Sequence, residues 1–435
     1  MKTTHRSILF MSLFAFFSPA YADMSSLNLG LDYTLRGIVI QNNDTDANTS
    51  DNLGYYSHQA RVSMNGWLSK EVEAGLRVQS VNVWGLEGST RTPTSRYPSA
   101  DGSPWIEHIY VRMPNLIGNH VDLTIGRQPL VLGDGMIVSD DGLGFNAIRA
   151  KAKFPRGMGM DLFTAKISES LHENKDSDLN GAILSLDQGD NRWELGWIRE
   201  THDSPSTYTL GLSTVTANTI ARTFYDVRLF GNLKDAYYKL EMALVNGNSR
   251  VEDKDIKISG IAEKIELGAQ SDTARFGRFG VKALYASGSG DDAGTPDKDE
   301  SFRPTFAKRW NGLQRAGWGQ HYGATLSDAY DSQEPFSPTA TGLPSGASGI
   351  KTLGFGVFTV QWVKWTGSID YFTYDSRVKV ASENSLGAEL DLGIDFRYSG
   401  DVIFKLSSAT FFPGPIYGEN ASKVTRYTAE TQIHF

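Results

Sequence analysis

Arg149, Lys151 and Lys153 stand at alternate positions, with Ile148, Ala150, Ala152 and Phe154 between them. In an extended chain such residues share one face, about 7 Å apart. Three cations on one face attract anions where water is confined and the dielectric is low. Arg36, Arg61, Arg77, His108 and Arg112 fall on the polar side of other alternating stretches, against Asp32, Glu73 and Asp122. An arginine fork is well matched to a carboxylate. On later stretches Asp226, Glu241, Glu389, Asp391, Asp395 and Glu430 share the polar face with Arg228, Lys239, Lys282, Arg397, Lys405 and Arg426. Pairing of individual cations with carboxylates is therefore the alternative to a free anion-attracting surface. The chemistry on offer is attraction of ions, not the making of bonds. The 8 histidines are scattered, and no G-x-S-x-G turn is present. No catalytic set emerges, so an enzyme is not expected, and neither is a cofactor. The acidic groups Asp44, Asp46, Asp51, Asp291, Asp292, Asp297, Asp299 and Glu300, or Asp134, Asp140 and Asp141, offer calcium-type ligands. None forms a full calcium-loop pattern, so solvated loop charge is expected and no metal.

The elements that must carry these residues repeat every two positions. Leu27, Leu29, Leu31, Tyr33 and Leu35 alternate with polar residues, as do Ala60, Val62 and Met64, and again Leu386 to Phe396. Such alternation predicts strands with one apolar and one polar face. About eighteen segments can be placed between residues 25 and 435, with sixteen possible. The connections between them alternate. Short ones include 69–71, 155–157, 234–235, 363–364 and 399–401. Long ones are 41–54, 84–104, 129–145, 201–220, 287–348 and 373–384. Segregation of loop length by end predicts a transmembrane antiparallel β-barrel, all-β, with its apolar face to lipid and its polar face inward. A sheet in lipid must close, because hydrocarbon offers no hydrogen-bond partner. Eighteen strands enclose a lumen too wide for side chains to fill. The loops 129–145 and 287–348 are the candidate plugs. Trp67, Trp84, Trp105, Trp193, Trp362, Trp365 and Tyr371 lie near predicted strand ends, where interfacial aromatics belong.

Composition agrees. The 435 residues carry 42 Lys and Arg against 50 Asp and Glu, a net charge of −8, with no cysteine. Disulfide and cysteine–zinc scaffolds are excluded, and nucleic acid is not an expected partner. No stretch after residue 22 is long and apolar enough for a spanning helix. Lys2, His5 and Arg6, the apolar run Ile8 to Phe17 and then Ala20-Tyr21-Ala22 read as a cleaved signal peptide over 1–22. The barrel is expected over 23–435, in the outer membrane of a Gram-negative bacterium. The last strand, from Thr425 to Phe435, ends in an aromatic, which resembles the signal read by the barrel-assembly machinery.

Three stretches resemble the bacterial alginate-export porin family. They are Gly126-Arg127-Gln128-Pro129-Leu130-Val131-Leu132-Gly133-Asp134-Gly135, then Gln320-His321-Tyr322-Gly323, then Leu386-Gly387-Ala388-Glu389-Leu390-Asp391-Leu392 with Phe411-Phe412-Pro413-Gly414. The resemblance implies a barrel of about eighteen strands with an electropositive pore, which in some members passes an anionic uronate polymer. It makes Arg127 and Asp134 a loop-anchoring pair at the pore. Parity puts Arg127 on the face of Val121, Leu123 and Ile125, unless a bulge near Pro129 turns it. Met136 stands where the family often has an arginine. The expected activity is passive passage of anionic solutes, including acidic saccharides, through a pore lined by Arg36, Arg61, Arg77, Arg112, Arg149, Lys151 and Lys153. Export of a uronate polymer with periplasmic partners is a second expectation. A plugged barrel serving in adhesion or structure is a third.

Overall fold

The structure is a computed structural model. Its described residues are 26–435 except 43–44, 46–47, 49–51, 86–101, 119, 170–174, 204–205, 211–212, 274–276, 293, 312–313, 316, 322–325, 327–342, 345 and 361–363. The signal-peptide segment 1–22, the acids Asp44, Asp46 and Asp51, most of 84–104, Tyr322, Gly323 and Trp362 lie outside them.

Eighteen antiparallel strands close into one barrel. They are β1 Ser26–Gln41, β2 Leu53–Ser69, β3 Val72–Val83, β4 Trp105–Met113, β5 Val121–Gln128, β6 Phe145–Lys153, β7 Met158–Ser168, β8 Ser177–Gln188 and β9 Asn191–His202. The rest are β10 Ser213–Leu233, β11 Ala236–Val251, β12 Lys254–Thr273, β13 Gly277–Gly288, β14 Ile350–Val360, β15 Trp365–Val380, β16 Glu383–Arg397, β17 Val402–Pro413 and β18 Val424–His434. Each strand pairs with its neighbours in sequence, and β18 pairs with β1 from Asp32↔His434 to Gln41↔Thr425. The last residue completes the seam: the Phe435 N–H donates to the Leu31 carbonyl at 2.9 Å, and its own oxygen accepts from Leu31 N at 3.0 Å. Closure leaves no edge unpaired.

The outer face carries Leu29, Val62, Ile109, Ile125, Ile148, Leu184, Leu195, Phe355, Ile369, Leu406 and Phe435, all exposed. This continuous apolar belt is the surface a membrane barrel presents to hydrocarbon. Trp84, Trp193, Trp365 and Tyr371 are also exposed. Trp67 and Trp105 are different. They lie opposite Glu73 and Gln79 in the ladders, on the inward register, and leave the expected aromatic girdle.

The strict alternation of short and long connections is corrected at one end. Two connections on the long-loop side are two-residue turns, at 252–253 and at 381–382. Ala381 and Ser382 have φ of 50° and 76°, the positive pair that a tight hairpin twisted like its strands requires. The predicted loop 373–384 is thus mostly the continuation of β15 and β16 beyond the belt.

The inward face is not polar throughout. On β1, Arg36 is followed on the same face by Ile38 and Ile40, each 1% exposed. Leu179, Ile183, Ile198, Phe224, Val245 and Ile258 are likewise buried and inward. They pack against Leu130, Leu132, Met136, Ile137 and Val138 of the β5–β6 loop, and against Phe302 and Leu326 of the β13–β14 loop. A second inner cluster joins Ile38, Ile40, Phe372, Tyr374, Leu386 and Phe411. The wall turns apolar where loops instead of water fill the lumen. Apolar burial is what holds them there.

Candidate functional site

The β5–β6 loop, residues 129–144, crosses the lumen. It leaves β5 and reaches the wall of β10 to β12. There Gly133 has φ 59°, and a side chain on it would meet the Arg228 guanidinium. Next to it Asp134 pairs with Lys264 at 2.5 Å and with Lys239 at 3.6 Å. Burial alone would raise the Asp134 carboxyl, but the two ammoniums outweigh it and hold it below the usual carboxylate range. The loop then returns to β2 to β4. Gln79 donates to the Gly142 carbonyl at 3.0 Å, and Asp140 lies 3.4 Å from His108 Nε2. Arg127 Nε donates to the Leu143 carbonyl at 2.8 Å. Arg127 and Asp134 therefore do not pair with each other; they hold opposite ends of the same loop. Met136 is a buried member of the loop's own core.

The β13–β14 loop docks on it from above. Ser139 N donates to Phe306 O at 2.6 Å, Lys308 N to Gly135 O at 2.7 Å and Arg309 N to Asp141 Oδ2 at 2.9 Å. A second anchor is Glu389 of β16, fully buried. It accepts from the backbone N–H of Gln320 at 2.5 Å and of His321 at 2.9 Å, and from Tyr374 Oη at 3.0 Å. The His321 ring packs on Phe411 at 5.9 Å; burial pushes its imidazole below the usual range. Gly387, at φ 126°, has no room for a side chain beside the Phe412 carbonyl. The local bulge that follows turns Leu386 inward. The stretch around Gly126 thus anchors the β5–β6 loop, and those around Gln320, Leu386 and Phe411 meet at the anchor of the β13–β14 loop.

The candidate pore cations are mostly neutralised. Arg36 is paired with Glu430. Arg61 lies 3.0 Å from Glu107, and Arg77 3.9 Å from the same carboxylate. Arg112 reaches Asp122 at 2.8 Å and Glu73 at 3.3 Å. Arg149 grips both oxygens of Asp161, at 2.9 and 2.6 Å. Of the three cations of this ladder, Arg149 thus takes the alternative of carboxylate pairing. Lys151 and Lys153 are exposed on the inner wall, with no ion pair among the described residues. They lie toward the short-turn end, where Lys153 N donates to the His120 carbonyl. The loop acids that suggested calcium are used internally. Asp291 Oδ1 accepts from Glu300 N, Asp299 Oδ1 from Ser301 N and Asp292 Oδ1 from Gly294 N.

Sequence reasoning missed Glu107, Asp161 and Lys264. In β4, Arg77 lies opposite His108 while Val78 lies opposite Ile106. Glu107 is the extra residue of a β-bulge, so it and His108 both point inward. Two adjacent polar residues between Ile106 and Ile109 were the available signal. Asp161 and Lys264 sit at plain inward parity on β7 and β12 and could have been read directly.

On the far side, Gly133, Asp134, Arg192, Glu194, Arg228, Phe230, Lys239, Glu241 and Lys264 line a half-open cavity of about 400 Å³ under the loop tip. The architecture is thus a closed antiparallel barrel with loops folded into its lumen. No protein-family model matches this chain, and no curated protein matches it in sequence. Solved structures match in fold. OpdK of Pseudomonas aeruginosa with vanillate is 9% identical, with 94% of this chain and 99% of that one covered and a TM-score of 0.54. OccK8 (OprE) of the same organism gives 9% identity, 95% and 98% coverage and 0.56. OpdO of the same organism gives 11%, 95% and 98%, and 0.55.

Proposed function

We propose that this protein is a passive outer-membrane channel for small anionic solutes. The observation that carries the reading is a closed barrel whose lumen is narrowed by two docked loops and whose unpaired inward cations, Lys151 and Lys153, stand near one mouth. Charged groups in a confined pore concentrate the opposite ion. The selectivity is carried by these two lysines together with the ion-paired arginines, which can exchange a carboxylate partner for a solute carboxylate. The Pseudomonas structures of the same fold, one of them holding vanillate, support a solute of that size and charge. Passage of an acidic saccharide fits the same surface. A uronate polymer is less suited, because the two loops are joined across the lumen by backbone hydrogen bonds. The C-terminal strand, paired out to Phe435, is the proposed contact for barrel assembly, and outer-membrane lipid covers the belt.

The test is uptake into proteoliposomes. A small labelled carboxylate should enter faster than an amine of equal size and faster than into protein-free vesicles. Equal entry of both, or entry of neither, would contradict the reading.

A further inference from the structure

Glu241 is 8% exposed and lines the cavity beneath Gly133 and Asp134. The other charges there have partners. Arg228 holds Asp226 at 2.7 Å and Glu194 at 3.0 Å. Arg192 holds Glu194 at 2.8 Å. Lys264 holds Asp134, and Lys239 lies 3.6 Å from both Asp134 and Glu266. Glu241 faces Arg228 and Lys264 in the two ladders, whose charges it feels, but it makes no hydrogen bond and no ion pair within 4 Å among the described residues. A carboxylate withdrawn from water and left without a donor is costly. The cavity is therefore complementary to a molecule that brings one.

We propose, resting on the channel reading above, that this cavity is the subsite that makes the channel prefer hydroxylated carboxylates over plain ones, with Glu241 as the specificity-determining residue. The solute carboxylate meets Lys239, Lys264 and Arg192; a solute hydroxyl donates to Glu241. An ammonium donor would face a lining of four cations against three carboxylates, positive on balance. A hydroxyl supplies the hydrogen without the charge, and its oxygen can accept from a lysine in return. A solute with no donor leaves Glu241 unpaired, which is how a polar site rejects an analogue lacking one group. The volume, about 400 Å³, lies in the range of small-molecule sites.

Propionate, lactate and alanine share a carbon skeleton and differ in one substituent, so they separate the possibilities. Saturable uptake of each, labelled, is measured in proteoliposomes of the purified protein. Lactate should half-saturate at a concentration roughly tenfold below propionate, the equivalent of one hydrogen bond to a charged group. Glu241→Leu, which fills the volume but accepts nothing, should bring that ratio to about one; Glu241→Gln, whose amide oxygen still accepts, should keep most of it. Equal half-saturation of lactate and propionate by the unaltered protein overturns the proposal, whatever the variants do, because water or a proton then satisfies Glu241. Preference for alanine over lactate overturns it too, since the site then takes a cation. If propionate itself fails to enter, the channel reading falls and takes this one with it. If propionate enters without discrimination, only this inference falls.

Discussion

At 2% exposure, Glu107 compensates two guanidiniums, Arg61 and Arg77, and sits against His108. Removing it leaves two partly exposed guanidiniums without their shared carboxylate. Glu107→Ala should destabilise the barrel by about 1–3 kcal/mol, read as a lower denaturant midpoint for unfolding in detergent or lipid. Lys151 and Lys153 behave in the opposite way. They have no carboxylate to leave unpaired, so Lys151→Gln with Lys153→Gln should leave stability nearly unchanged. The anion preference of the pore should fall roughly fourfold, as for two charges about 10 Å from the ion path in water-like surroundings. Reversal potentials measure it. Arg149→Gln should do less to selectivity and more to stability, because it breaks the Asp161 pair. The alternation at 149–153 made the direction of these side chains legible in the sequence. Which of them would be neutralised was not: the inward parity of Asp161 on the next strand is readable, but the choice of Arg149 over Lys151, which it faces in the ladder, is made by side-chain reach. Glu107 was hidden for another reason: one inserted residue shifts parity, and a period-two reading has no place for it.

Among the elements, the two lumenal loops are the ones that shape the path. Their anchors differ in chemistry and should respond to different changes. Glu389 satisfies two backbone donors and a tyrosine hydroxyl at once. Glu389→Ala should loosen the β13–β14 loop by about 2–3 kcal/mol, seen as faster proteolysis within 289–349 and as greater open-channel noise. Asp134 is an electrostatic anchor. Its carboxyl is lower in the folded protein than in the unfolded chain, so it stabilises docking above the ordinary carboxylate value. That contribution is lost as pH falls through the lowered folded value, below the ordinary carboxylate range. Loop noise should therefore rise in that acidic range, and Asp134→Asn should show the raised noise already at neutral pH. The loops could be recognised as plug candidates from length alone. Their docking could not, because Leu179, Ile183 and Phe224 read as ordinary strand residues until the loop residues Leu130 to Val138 are placed against them. Likewise the residues of 373–384 read as a loop, whereas Ala381 and Ser382 alone make the turn.

For the whole molecule, the apolar outer belt and the closed seam are one physical solution: every strand is paired, and only hydrocarbon touches the outside. The strand number and the inward–outward sorting followed from alternation and from the distribution of connections. The Phe435 backbone closes the β1–β18 seam, so deletion of Phe435 should impair assembly, with less heat-modifiable folded band on unboiled gels. The central claim is that water crosses the membrane inside this cylinder and that positive charge biases what crosses with it. Single-channel recording of the purified protein in a planar bilayer under a potassium chloride gradient tests it directly. Steady conductance is expected, with a reversal potential shifted toward the chloride equilibrium value. A silent bilayer, or a shift toward potassium, would contradict it.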